Sequence, residues 1–324
     1  MPKTKSKSHK QNKTRKNRDI DKMNCSPVVK TRRVSAKTCY TSESLATIKD
    51  HYNQNHDSID EITATNPLEI WKELRKRLKT KCKKEDCWLE EIRDPKLRQS
   101  IDYITFAPDT PSDWDNDPYG WLSNEDIAFV LKQYEISHPQ FKLLGPTPID
   151  YDARVPEEGG QCVWEDLCHL NLQELRDQGK TKLGVVFNLD KHDGDGIHWT
   201  SMFIDLEYKI IYYYDSARFP FPRQVAKLRD EIVKQGRSMT PPIRFKFVRN
   251  PKTHQRSSSE CGMFCLFFII TFLIGETEFK KNMTIQEKLD LFCNKQIPDH
   301  LMRKYRSIYF NQRDRNQTEN NNDE

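Results

Sequence analysis

The residue patterns predict an α+β chain, and three observations carry that expectation. Runs rich in β-branched and aromatic residues fall close together at 183–189, 199–206, 209–216 and 243–248. Segments with apolar residues at helical spacing flank them, at 66–78, from 123–124 onward, at 222–236 and at 284–308. One further run, Met263 to Ile274, is apolar all round and reads as a helix buried on every side.

The 324 residues suffice for one large domain or two modest ones. Residues 1–38 carry 13 Lys/Arg against 2 Asp/Glu and almost no large apolar side chains. Such a segment cannot offset its ordering entropy, so a disordered basic tail is expected, suited to nucleic-acid phosphates or nuclear import. The remainder holds 40 basic and 46 acidic residues, a mildly acidic body. Residues 39–115 are expected to form an accessory helical arm. In it Asn66 caps a helix that starts with Pro67, and Leu68, Trp71, Leu74 and Leu78 share one face. Cys82 and Cys87 have no second Cys/His pair nearby at finger spacing, so no metal is expected there. The turn-rich stretch 107–118 marks a domain edge. A main domain over 116–310 and a disordered polar tail over 311–324 complete the expected division.

Ser123 or Asn124 can cap the helix that buries Ile127, Val130, Leu131 and Tyr134. Leu183 to Leu189 reads as a buried strand. The acidic stretch from Asp190 to Gly196 is a turn and not a calcium loop, because Ile197 and Ile204 would occupy ligand positions five and twelve. The runs 199–206 and 209–216 form a hairpin turning at Glu207-Tyr208. Nine cysteines form an odd set without a regular framework, and the charged N-terminus lacks a signal-peptide apolar region. Reduced thiols in an intracellular setting are expected. The 14-residue run Gly262 to Gly275 is short of the roughly 20 residues that span a bilayer, so no membrane partner is expected.

The hairpin places chemistry. With the turn at Glu207-Tyr208, facing residues have numbers summing to 415, so Asp215 faces Thr200 and His198 is its diagonal neighbour. Diagonal neighbours stand roughly 7 Å apart at Cβ, within reach of a carboxylate–imidazole hydrogen bond. Asp205, beside the turn, is about 23 Å away along the strand. Cys261 opens the apolar helix, where free N–H groups and the helix dipole favour a thiolate nucleophile. Gln255, six residues earlier, can join the Cys261 N–H as an oxyanion donor, and Gly262 leaves room for substrate backbone. Taken singly, each residue has a structural explanation. Together His198, Asp215, Gln255 and Cys261 make a complete acyl-transfer set that implies no metal or organic cofactor.

His198-Trp199, Asp215 seventeen residues on in Tyr-Tyr-Asp-Ser, and Gln255 six residues before Cys261-Gly262 resemble the ubiquitin-like-protein proteases. That group includes the SUMO/sentrin-specific proteases and the adenovirus endopeptidase. His-Gln-Arg-Ser-Ser-Ser-Glu-Cys-Gly and the upstream Cys-x4-Cys segment are similar to the polyprotein-processing proteases of large DNA viruses such as African swine fever virus. Glu260 stands where the SUMO-protease branch has Asp. The resemblance implies a papain-like α+β cysteine protease fold with the catalytic order permuted, preceded by an arm. It also implies that Trp121 and Trp199 wall a tunnel for a thin Gly-Gly-type peptide. The expected activity is endoproteolysis of a viral structural polyprotein during virion maturation, in the virion and the host cytoplasm. An isopeptidase acting on a ubiquitin-like conjugate, an acetyltransferase on the same scaffold, and a nucleic-acid-binding virion protein stay open.

Overall fold

The β-rich runs around the hairpin become the middle of the molecule because each buries residues on both faces. The structure, a computed structural model, describes residues 22–156 and 159–312.

The arm comes first. Helices α1 (Ser42–Asn55), α2 (Pro67–Leu78) and α3 (Pro95–Thr105) are each started by a side-chain cap, from Thr41, Asn66 and Asp94. Their apolar faces meet over Leu45, Leu74, Trp88 and Ile92. The Glu85 carboxylate lies inside this core, accepting hydrogen bonds from the Trp71 indole at 2.6 Å and the Thr38 hydroxyl at 2.9 Å.

The expected tail boundary is corrected here. Met23 and Val29 are buried in the arm, and Cys25 bridges to Phe106, so the chain is packed from Lys22 onward. A few apolar residues suffice because a Cys25–Cys39 disulfide ties the segment down. Residues 1–21 lie outside the described residues, as do 313–324. At the other end Asn311 is buried and exchanges hydrogen bonds with the Asn24 backbone, so it belongs to the fold and not to a tail. The expectation of reduced thiols also gives way. Cys25–Cys39, Cys82–Cys87 and Cys162–Cys168 are disulfides, each closing a short loop, while Cys261, Cys265 and Cys293 are free.

Helix α4 (Asn124–Ser137) opens the main domain with a reciprocal capping box between Ser123 and Asp126. Then come β1 (Phe141–Pro148), the short pair β2 (Arg154–Val155) and β3 (Gln161–Cys162), and helices α5 (Glu165–Cys168) and α6 (Leu172–Asp177). Strands β4 (Lys182–Asn188), β5 (Trp199–Asp205) and β6 (Ile210–Tyr214) follow, then α7 (Arg223–Ser238) and β7 (Lys246–Arg249). Helices α8 (Cys261–Ile274), α9 (Ile285–Cys293) and α10 (Asp299–Tyr309) end the described fold. The sheet order is β1-β4-β5-β6-β7, with parallel outer pairs and antiparallel inner ones. Alternation along β5 and β6 assigns the faces: Phe203 and Tyr212 pack on α8, while Met202 and Tyr213 pack toward α7. All but the last residue of α8 are buried, which explains a helix without a polar stripe.

The hairpin turn has four residues, 206–209, and not two. Asp205 accepts the N–H groups of Glu207 and Tyr208, and Lys209 takes positive φ. The longer turn keeps the same centre, so Ser201 still faces Tyr214 and the register stands. The last helical region is two helices, broken at Pro298. Among the described residues no helix is long and apolar enough to cross a membrane.

Candidate active site

The acid comes off the end of β6. Asp215 is fully buried, and its Oδ1 lies 2.8 Å from His198 Nε2. It also accepts N–H groups from Ala217 to Oδ1 and from Phe219 to Oδ2, at 3.0 and 2.6 Å. Asn250 grips the Asp215 backbone from both sides, accepting its N–H and donating to its carbonyl. The carboxylate therefore has no freedom to turn away from the imidazole.

His198 stands one residue before β5, with 4% of its surface exposed. With Nε2 on Asp215, Nδ1 is the ring nitrogen left for the Cys261 thiol, whose influence reaches the imidazole. Burial acts to pull the imidazole down, but the hydrogen bonds and charges of Asp215 and Cys261 prevail and push it up to about 9. A protonated His198 is thus favoured at neutral pH, and it is the partner that a thiolate nucleophile needs. Cys261 is the first residue of α8, where backbone donors are free. Cys265, one turn further in, has no such setting. Burial drives its thiol well above the ordinary range, so it is inert.

Gln255 is held at both ends. Its Oε1 accepts the Ser216 hydroxyl at 2.7 Å, and its Nε2 donates to the Ser257 carbonyl at 2.7 Å. Ser216 also receives the backbone N–H of Gln255 on its carbonyl. These two contacts leave one amide hydrogen of Gln255 over. Asp299, at the start of α10, accepts the N–H groups of Arg256 and Ser257 and fixes the loop from outside.

The substrate-side residues divide. Trp121 is 44% exposed, whereas Trp199 is 6% exposed, with its indole N–H on the Leu122 carbonyl at 2.9 Å. Trp199 is thus mainly the support of the Trp121 segment. Gly262 has a packing role as well. A Cβ there would stand 3.1 Å from Leu122 Cβ and 3.4 Å from Ile127 Cδ1, so the missing side chain makes room for Leu122 and the start of α4.

Three contributions were missed from sequence. Phe219 packs its ring on His198, centroids 4.7 Å apart, and is half-exposed beside it. Ser216 fixes Gln255, and its place next to Asp215 was the available signal. Glu260, immediately before the nucleophile, is fully buried and paired with Arg306 of α10 at 3.0 Å. Arg306 also donates to the carbonyls of Tyr119 and Gly120, so one guanidinium links the nucleophile's helix start to the loop carrying Trp121. Nothing in the local sequence pairs residues 260 and 306.

The structure thus sets His198, Asp215, Gln255 and Cys261 on this α+β scaffold in the order His–Asp–Gln–Cys. Residues 185–318 match the Ulp1 protease family, C-terminal catalytic domain. A protein of Acanthamoeba polyphaga mimivirus that bears a thiol-protease name is 29% identical over 181 residues, covering 56% of this chain and 55% of its own. The SUMO-1 cysteine protease of African swine fever virus is 33% identical over 158 residues, covering 46% and 57%. The chain therefore spans a little over half the length of these relatives. The crystal structure of the African swine fever virus protease shares the fold, with TM-score 0.60 and 17% identity over 91% of this chain and 98% of that one.

Proposed function

We propose that this chain is a cysteine endopeptidase that cleaves after Gly-Gly-type sites. The observation that carries the reading is His198 clamped between buried Asp215 and Cys261 at a helix start. In the reaction Cys261 Sγ attacks the scissile carbonyl carbon, and the oxyanion accepts the Cys261 N–H and Gln255 Nε2–H. His198 gives its proton to the departing amine, then takes one from the water that hydrolyses the thioester. Exposed Trp121 offers a flat wall that accommodates glycine and clashes with bulky side chains. In this reading the substrate is a viral structural polyprotein, processed in the virion or the cytoplasmic factory, with the basic N-terminal segment serving nucleic-acid contact or nuclear entry.

A panel of Gly-Gly-Xaa and Ala-Ala-Xaa peptides tests the specificity. Cleavage confined to Gly-Gly supports the reading, and equal cleavage of both overturns it. The second reading, an isopeptidase on ubiquitin-like conjugates, draws on the name of the swine fever virus relative, a SUMO-1 protease. Faster release of a purified modifier from a lysine conjugate than cleavage of the peptides would favour it.

A further inference from the structure

Away from the catalytic site, metal-ligand chemistry crowds one turn of the main domain. Cys162 ends β3, Cys168 ends α5, and His169 follows it. One donor atom from each lies within 4.8 Å of the other two, and this is the single such group among the described residues. Donor atoms on one tetrahedral zinc, with bonds of roughly 2.0–2.3 Å, stand about 3.3–3.8 Å apart, so the Cys162 and Cys168 sulfurs, bonded to each other here, must part to ligand spacing once reduced. Glu165 supplies the supporting carboxylate. Its Oε2 lies 3.1 Å from His169 Nε2, and its Oε1 accepts the Cys162 N–H at 2.7 Å. A metal-bound imidazole almost always gives its other ring N–H to a carboxylate, which here leaves Nδ1 for the ion. Cys162 is buried while the His169 side chain is 62% exposed, so one side of the cluster opens to solvent.

We propose that Cys162, Cys168 and His169 form a zinc-type cation site, with water as the fourth ligand. The site and the Cys162–Cys168 disulfide are alternative states of the same two sulfurs. A pair of small-molecule thiols supplies two electrons and becomes a disulfide. The Cys162–Cys168 bond breaks to two thiols, and these release their protons as the cation binds. Two thiolates and an imidazole select zinc over magnesium or calcium. The Cys82–Cys87 pair has no histidine in a comparable group and remains a structural bridge.

The test is a titration of the full chain with Co²⁺ and then Zn²⁺, after reduction by a non-chelating phosphine under nitrogen. One equivalent of Co²⁺ should give thiolate-to-cobalt absorption with tetrahedral visible bands, both displaced by zinc. Cys162→Ser with Cys168→Ser should abolish them, and Glu165→Gln should weaken binding about 10–100-fold. His169→Ala, at an exposed position that leaves the fold intact, should shift the visible bands. Cys82→Ser with Cys87→Ser should change nothing. Absence of thiolate–cobalt absorption in the reduced wild type would overturn the proposal. So would its persistence in the Cys162/Cys168 variant.

Discussion

Replacing Asp215 by asparagine keeps the size of the side chain and removes its charge. In the wild type the Asp215 and Cys261 interactions raise His198 from 6.5 to about 9 against the pull of burial. That difference corresponds to about 3 kcal/mol favouring imidazolium, at about 1.36 kcal/mol per unit. Without the carboxylate, burial acts against Cys261 alone, so His198 should titrate well below 9. The sign is definite. A raised histidine stabilises the folded chain fully below the unfolded value of 6.5, and that contribution is lost as pH rises through about 9. Hydrogen bonding adds a second cost, because the amide nitrogen that replaces Oδ2 would face the Phe219 N–H and leave a buried donor unpaired. We expect kcat/KM on a Gly-Gly peptide at pH 8 to fall at least 10²-fold, and the alkaline limb of its pH profile to move toward neutrality. The assay is the profile from pH 5 to 10, with the His198 ring followed by NMR. An Asp215→Asn enzyme with an alkaline limb still near 9 and a rate within threefold of wild type would refute the coupling.

Gln255→Ala should lower kcat roughly 10²–10³-fold with KM little changed, as expected for an oxyanion donor. Ser216→Ala, which only frees the Gln255 carbonyl, should cost about 3–10-fold, and in a Gln255→Ala background it should cost almost nothing. Arg306→Met leaves the buried Glu260 with only Arg303, 3.6 Å away, and should destabilise the chain by roughly 1–3 kcal/mol in denaturant unfolding, with part of it regained by adding Glu260→Gln. Gly262→Ala should cost about 1–3 kcal/mol through Leu122, and Leu122→Ala should compensate part of it; additive losses would show that the contact is not the cause.

The placement of the candidate site residues was legible because a hairpin and a helix start impose local rules. The period of two along β5 and β6 carried the diagonal pairing of His198 with Asp215, even though the turn is longer than expected, because both turns share a centre. Strand β1 was hidden by Gly145, Pro146 and Pro148, residues that argue against a strand; the first two sit where β1 pairs irregularly with β4, and β1 is an edge strand, where Pro148 is tolerated. Long-range ties were out of reach. The Arg306 clamp on Glu260 and the 118–120 carbonyls joins parts of the chain more than 180 residues apart at its widest. Composition misjudged residues 22–38, because a disulfide can order a segment that its own apolar content would not. Gly262 was read only as room for substrate backbone; its contact with Leu122 lies 140 residues away in sequence and had no local signal.

The most direct measurement is intact-mass labelling of the folded chain with a Gly-Gly peptide bearing a vinyl-sulfone electrophile, beside Cys261→Ala and His198→Ala. The wild type should gain one adduct at Cys261, Cys261→Ala none, and His198→Ala far more slowly, with Cys265 and Cys293 unlabelled throughout. An unlabelled wild type, or an adduct that survives Cys261→Ala, would contradict the assignment of Cys261 as the nucleophile of a Gly-Gly protease.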